Sequence, residues 1–585
     1  MHRYQRHGPL DAERTYMARK HITVESQLGH ARPKEANVFR SMFLFLLVPV
    51  TAMAQLDDRQ TGNAPNADLS LIPQPVEIKA TTGSFLIGPS TSLVADGPAA
   101  VEARKLQNLL APAMGFRLQL IESDQPRDGA ITLQRDASLL SLGQEGYKLH
   151  VTPKRIVIRG PQPAGLFYGI QSLRQLLPPA IFRKAPVAGV EWSVPCVEIS
   201  DDPRFQWRGL LVDSARHFMP KASLLKFIDS MALHKLNSLQ LHLTDDQGWR
   251  IEIKKYPKLT EVGAWRDETL IGHIGKKPWR FDGRRHGGYY TQDDIRDIVR
   301  YAADRYVNIV PEIEMPGHAR AAISAYPYLG CNPDQQLKPW TRWGVCPDIF
   351  NPTDKTVAFL QDVLTEVIEL FPSRFIHVGG DEAVKTQWKA SPTVQARIKE
   401  LNLKDEAELQ SWFIKQMDTF LAKHGRRLLG WDEILEGGLA PGATVMSWRG
   451  VKGGIAAARA GHDVVMAPTS HTYLDYYQGS SKKEPLAIGG RLPLRIVYQF
   501  EPVPTELNQQ EAHHVLGAQG QLWTEYIAAP RHLEYMAYPR AAALAEVVWS
   551  GQTQRDYEAF VARLRHHRKR LDAMDINYRK VDEDQ

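Results

Sequence analysis

Beyond Arg204 the chain repeats one pattern eight times: a short apolar run of strand length, in most cases followed by a helical stretch. The runs occupy residues 209–212, 238–243, 307–313, 374–378, 427–430, 444–447, 463–466 and 515–519. Apolar residues three and four apart predict helices over 221–236, 291–305, 353–370, 406–423 and 450–460. Eight such β–α repeats in roughly 350 residues predict a closed (β/α)8 TIM barrel over 201–552. A doubly wound open sheet is the competing α/β architecture. No GxGxxG follows any of the runs, which counts against it.

The residues before the barrel have another texture. Short β runs at 84–87, 130–133, 148–151 and 155–158, with helical stretches at 101–110 and 164–177, predict a small α+β domain over 71–200. Residues 55–70 are polar and read as a linker; residues 553–585 read as a terminal helix and tail. Residues 42–50 are nine consecutive apolar residues, preceded by Arg40 and followed by Ala52-Met53-Ala54. Nine residues are too few for a bilayer, which needs about 20. A basic flank, a short apolar core and an A-x-A site are the marks of a secretory signal peptide cleaved after Ala54, so the mature protein is expected in the periplasm or the medium, without a membrane anchor. Some forty residues precede the apolar run, more than a signal peptide carries, and initiation near Val38 would restore the usual length. The bland alternative is a buried core segment.

A formal charge of +6 raises the question of a nucleic-acid partner. Residues 1–54 hold eight of the 72 basic side chains and four of the 66 acidic ones, so the rest carries 64 against 62, a net +2. A near-neutral mature chain argues against such a partner. Of three cysteines, Cys331 and Cys346 share one loop, and export would favour a disulfide between them over two free thiols.

Chemistry in a barrel of this kind sits just past the C-terminal ends of the strands. There the sequence places Asp213 and Arg216; His242, Asp245 and Asp246; Glu314 and His318; His377, Asp381 and Glu382; Trp431, Asp432 and Glu433; Trp448 and Arg449; His471, Tyr473 and Asp475; and Gln521, Trp523 and Glu525. Any one of these has a bland reading as a solvated cap or a packed tryptophan, but together they predict a shared pocket. Carboxylates with histidine suit either a metal site or glycoside cleavage by a carboxylic acid of raised pKa. Three tryptophans favour sugar, because flat indoles stack on pyranose faces. No HExxH or His-x-His pair follows a strand, so no metal or other cofactor is expected. Within HVGGDE at 377–382 the glycines let backbone approach a substrate closely, and adjacent carboxylates tend to divide into a protonated and an ionised member.

These residues resemble glycoside hydrolase family 20, the β-N-acetylhexosaminidases, from about Leu71 to Ser550. The resemblance rests on RGLLVDSARHF at 208–218, LHLTDDQGWR at 241–250, PEIEMPGH at 311–318, HVGGDE at 377–382, GWDE at 430–433, SW at 447–448, YLD at 473–475 and QLWTE at 521–525, in that order. It implies exo-acting removal of terminal N-acetylglucosamine, with N-acetylgalactosamine also in range, from oligosaccharides or glycoconjugates. It implies retention of configuration without an enzyme nucleophile: the substrate's 2-acetamido oxygen attacks C1 and forms an oxazolinium. Glu382 would be the general acid and then base. Asp381 would hold the acetamido N–H and Tyr473 the acetamido oxygen. Trp431, Trp448 and Trp523 would wall that group, and Arg216, Asp475 and Glu525 would grip hydroxyls. Asp245 and His318 resemble the supporting pair near the acid, with His377 and Glu314 behind them. A metal-dependent hydrolase and a sugar-binding barrel without catalysis are the rival classes.

Overall fold

The computed structural model describes residues 69–580. The expected signal peptide (1–54) and nearly all of the expected linker lie outside the described residues. Among the described residues no helix is long and apolar enough to cross a membrane.

Seven strands open the structure: β1 (Glu77–Leu86), β2 (Ser92–Ala95), β3 (Gln119–Glu122), β4 (Ala130–Arg135), β5 (Tyr147–Val151), β6 (Ile156–Gly160) and β7 (Ser193–Asp201), in the sheet order β1-β7-β5-β6-β4-β2-β3. Helices α1 (Gly97–Met114) and α2 (Pro163–Leu176) pack on one face. Period-two alternation sets that face: Tyr147, Leu149 and Val151 of β5 point inward, while Lys148 and His150 stay exposed.

The barrel follows as β8 (Trp207–Asp213), β9 (Ser238–His242), β10 (Asn308–Met315), β11 (Phe375–Gly379), β12 (Arg427–Trp431), β13 (Thr444–Ser447), β14 (Val464–Met466) and β15 (Val515–Leu522). All pairs are parallel, and β15 closes on β8 with Gly517 opposite Trp207 and Leu522 opposite Val212. The eight expected runs are the eight strands, and the open-sheet alternative does not hold. Every residue of β8 and β9 is buried, as parallel strands covered by helices require. The expected helices appear as α3 (Lys221–Leu233), α4 (Gln292–Ala303), α5 (Asp354–Leu370), α6 (Glu406–Lys423) and α7 (Lys452–Arg459). Side-chain caps start three of them: Thr291 with Asp294 in a capping box for α4, Thr353 for α5 and Asp405 for α6.

Helix α3 stops short of the predicted 236 because Lys235 turns to φ +58°. That turn carries the Lys235 ammonium to Asp201 Oδ2 at 2.7 Å and Tyr147 Oη at 2.9 Å, joining the barrel to β5 and β7. Arg208 adds a bidentate pair with Glu145 at 2.8 and 2.9 Å. Helices α8 (Arg540–Trp549) and α9 (Tyr557–Ala573) lie at the end of the described chain. Helix α9 bridges both units: His567 Nε2 sits 2.9 Å from His234 Nε2, and Arg570 donates to the carbonyls of Ser70 and Gln175 at 2.7 and 2.6 Å.

Candidate active site

The floor of the barrel's C-terminal mouth is built on Glu312. Its position in β10 is in register with both His242 of β9 and His377 of β11. Its Oε2 lies 2.7 Å from His242 Nδ1 and accepts from Gln240 Nε2 at 2.8 Å; its Oε1 lies 3.0 Å from His377 Nδ1 and accepts from the Trp431 indole at 2.9 Å. Sequence reasoning placed Glu314 and His377 behind the site and missed Glu312. The available signal was Glu-x-Glu in an otherwise apolar strand, which puts two carboxyls on the same face.

His242 Nε2 lies 2.9 Å from Asp245 Oδ2, which also receives the Arg216 guanidinium at 2.7 Å. Burial alone would lower the His242 pKa, but Glu312 and Asp245 outweigh it and carry it up to about 10. Asp245 is held well below the carboxylate range, against its burial, by Arg216 and His318. His318 Nδ1 lies 3.1 Å from Asp245 Oδ1, while its Nε2 lies 3.5 Å from Asp381 Oδ2 and 3.6 Å from Glu382 Oε2. Despite burial, Asp245 and Asp381 push the His318 pKa well up, so an imidazolium links the floor to the expected catalytic pair. Asp213, the last residue of β8, accepts from the amides of Ala215, Arg216 and Thr524 at 2.8, 3.0 and 3.0 Å, fixing the loops after the first and eighth strands together.

The turn after β11 is tight. Gly379, Gly380 and Glu382 have φ of +67°, +98° and +46°. A Cβ on Gly379 would stand 1.7 Å from Glu314 Oε2, so glycine is required for the turn to lie over that carboxyl. Neither Glu314 oxygen has a hydrogen-bond partner among the described residues; burial and the charges of Asp381 and Glu312 push its pKa well up.

Above this floor lies a cavity of about 250 Å³. Nine of the expected site residues line it: Arg216, Asp381, Glu382, Trp431, Trp448, Tyr473, Asp475, Trp523 and Glu525. Asp245, His318, His377 and Glu314 stand behind it. Trp523 packs edge-on to His242, with ring centres 4.9 Å apart, and lies 5.7 Å from Trp431. The Trp448 indole donates to Glu433 Oε2 at 2.9 Å and its ring stacks near Tyr473. Both oxygens of Asp475, and Oδ1 of Asp381, are buried without a partner from another residue among the described ones. Burial, then Glu525, pushes the Asp475 pKa well up; burial also raises Glu525, partly offset by Arg216. Burial and Asp475 raise the Tyr473 phenol. His471 turns away and stacks on Phe500. Ile274, Trp343, Val345, Tyr476, Ile488 and Tyr526 also line the cavity and were not anticipated; Ile274, Trp343, Val345 and Ile488 come from loops without periodicity, whereas Tyr476 and Tyr526 directly follow the expected Asp475 and Glu525.

The expected disulfide is not formed: Cys331 and Cys346 are free. Their sulfurs are turned to separate acceptors, Cys331 toward the Ile349 carbonyl and Cys346 toward Asp348 Oδ2 at 3.4 Å. Three groups of histidine and carboxylate atoms are close enough to hold a cation, and all contain His242 or His318. Both nitrogens of His242 and Nδ1 of His318 already face carboxylates at 2.7–3.1 Å, so these groups read as ion-pair networks.

The same architecture occurs in known proteins. "Glycosyl hydrolase family 20, catalytic domain" matches residues 205–552, and "domain 2" of that family matches 68–202. A β-hexosaminidase of Porphyromonas gingivalis is 45% identical over 516 residues; these are 87% of this chain but 64% of that protein, so the chain spans under two thirds of its length. The β-N-acetylhexosaminidase structure from Streptomyces coelicolor A3(2) superposes with a TM-score of 0.77 at 32% identity, covering 89% of this chain and 99% of that one. A mutant Streptomyces plicatus β-hexosaminidase in complex with product, GlcNAc, gives 0.76 at 31%, covering 88% and 97%. With both of the family's domains matched in order across most of its length, the chain belongs to glycosyl hydrolase family 20.

Proposed function

We propose that the protein is an exo-acting, retaining β-N-acetylhexosaminidase that removes terminal N-acetylglucosamine, and also N-acetylgalactosamine, by substrate-assisted catalysis. The observation that carries this reading is the set of buried carboxylate oxygens on Asp381 and Asp475 that face one small cavity without partners. Unpaired buried acceptors are costly, and a sugar supplies what they lack: an amide N–H and hydroxyl donors. A cavity of 250 Å³ accommodates one sugar residue, which supports attack at chain ends.

In this reading Glu382, 37% exposed at the mouth, protonates the glycosidic oxygen as the C1–O bond breaks. The substrate's acetamido oxygen attacks C1 from the opposite face. Trp431, Trp448 and Trp523 hold it in line, and Tyr473 donates a hydrogen bond to it. Asp381 accepts the acetamido N–H and opposes the positive charge of the oxazolinium. His318, pinned by Asp245, keeps the adjacent carboxylates in place. Glu382 then takes a proton from water, which attacks C1 from the face the leaving group vacated; the C1–O bond of the oxazolinium breaks, the acetamido group is restored, and the configuration is retained. Arg216, Asp475 and Glu525 bind ring hydroxyls, Arg216 through charge-assisted bonds.

Release of nitrophenol from nitrophenyl N-acetyl-β-glucosaminide and β-galactosaminide tests the reading. Glu382→Gln should lower kcat by about 10³-fold; wild-type turnover in that variant would sink it. Export of the mature chain is part of the proposal, and the N-terminal residue of the exported protein, read by mass spectrometry, checks it: an intact Met1 contradicts cleavage.

A further inference from the structure

The catalytic cavity is acidic, yet one side of its rim is strongly basic. Residues 272–286 carry Lys276, Lys277, Arg280, Arg284 and Arg285 against a single acid, Asp282. This is a local +4 in a chain that is near neutral beyond residue 54. Asp282 is occupied in its own turn, accepting from the amides of Thr269 and Arg284 at 2.8 and 3.0 Å. The segment is tied to the cavity. Ile274 lines it, the Ile274 amide donates to Tyr526 Oη at 3.1 Å, and the Ile274 carbonyl accepts from the Trp279 indole at 2.9 Å.

Trp279 is held between two cations, with the Arg342 guanidinium 4.3 Å and the Lys277 ammonium 4.9 Å from its ring centres. Arg342 adjoins Trp343 in the cavity wall, and its carbonyl accepts from Gln247, whose other amide atom receives Arg216. Lys276 and Lys277 are exposed, Arg342 is half-buried, and none has a carboxylate within 4 Å among the described residues. Stacking orders Arg342 without neutralising it, which lowers the entropy lost on binding an anion. A neutral leaving sugar has no use for such a rim. An acidic one needs it, because the Asp381 charge that opposes the oxazolinium in the proposed mechanism would otherwise repel it.

Resting on the hexosaminidase reading, we propose that Lys276, Lys277 and Arg342 bind a carboxylate or sulfate ester on the departing part of the substrate, making acidic glycans the preferred class. The probes are a trisaccharide with N-acetylglucosamine β-linked to a glucuronate, and the same trisaccharide with that carboxyl reduced to a hydroxymethyl group. A second pair is an N-acetylglucosaminyl disaccharide with and without a sulfate on its reducing sugar, which separates the two anions. Within at least one pair the acidic member should have a kcat/KM about tenfold higher at low salt, and the ratio should shrink toward one at 0.5 M salt. The ratio should fall in K276Q/K277Q/R342Q and drop below one in K276E/K277E. Ratios of one in wild type for both pairs, or ratios unmoved by these substitutions, overturn the proposal while leaving the hexosaminidase reading intact. No hydrolysis of any of these substrates or of the nitrophenyl glycoside overturns both.

Discussion

The floor and the wall of this pocket treat buried charge in opposite ways. On the floor the cations have found their counterparts: His242 lies between Glu312 and Asp245, His318 against Asp245, and Arg216 against Asp245 and Asp213; Glu314, with both oxygens unpartnered, is the exception. In the wall, Asp475 and one oxygen of Asp381 have no partner from another residue among the described ones. Satisfied networks hold geometry, and unsatisfied groups wait for a ligand. The difference separates a scaffold from a binding surface built of the same residue types.

The sharpest way to break the comparison is to make the same change, acid to amide, on each side of it. Asp381→Asn should keep the fold and lower kcat by about 10³-fold, because in the proposed mechanism it removes the charge opposite the oxazolinium. Steady-state rates with the nitrophenyl glycoside, beside an unchanged melting temperature, would show this. Glu312→Gln should do the reverse. It strands His242 and His377 over a neutral group, and breaking a buried pair costs about 3–5 kcal/mol. A lowered urea midpoint checks it; if stability holds, the floor is not the scaffold described. Asp475→Asn belongs with the wall: kcat/KM should drop about 10²-fold, and stability should hold or rise, because a desolvated acid has been removed.

How far this division could be read in the chain follows from what sets each part. The eight strands were legible because short, mainly apolar runs recur and mostly alternate with helical stretches, and the polar residues at their ends marked the pocket. The end of α3 was not legible, since Leu236 continues the helical period and the turn at Lys235 answers Asp201, some 34 residues away and in another sheet. Glu312 was hidden inside a strand, where its role depends on the register of both neighbours. Trp343 and Ile274 reach the cavity from loops whose course is set by tertiary contacts such as Tyr526 with Ile274. The cysteines illustrate the converse: two cysteines that share one loop are two thiols with separate acceptors, the Ile349 carbonyl and Asp348.

The smallest expected effect sharpens the contrast through pH. His242 on the floor and Glu433 beside the wall both have raised pKa values, about 10 and about 8, but for opposite reasons. Glu312 and Asp245 stabilise the charged form of His242 over the penalty of burial. Glu433 is raised chiefly by burial and then by Asp381, so its neutral form is favoured. For both, the stabilisation is full below the ordinary pKa, 6.5 and 4.5, and is lost as pH rises through the folded value. The substitutions should nonetheless diverge. His242→Gln should be least stable relative to wild type at pH 6, with the deficit fading toward pH 10. Glu433→Gln retains an acceptor for the Trp448 indole and should match wild type at pH 4. At pH 9 it should exceed it by about 2–4 °C in Tm, because the wild type then holds an unfavourably buried carboxylate. Parallel Tm-against-pH curves decide the matter. If Glu433→Gln is less stable than wild type at pH 9, its carboxylate is paired as well as those of the floor, and the boundary between the two regions lies higher in the pocket than Asp381.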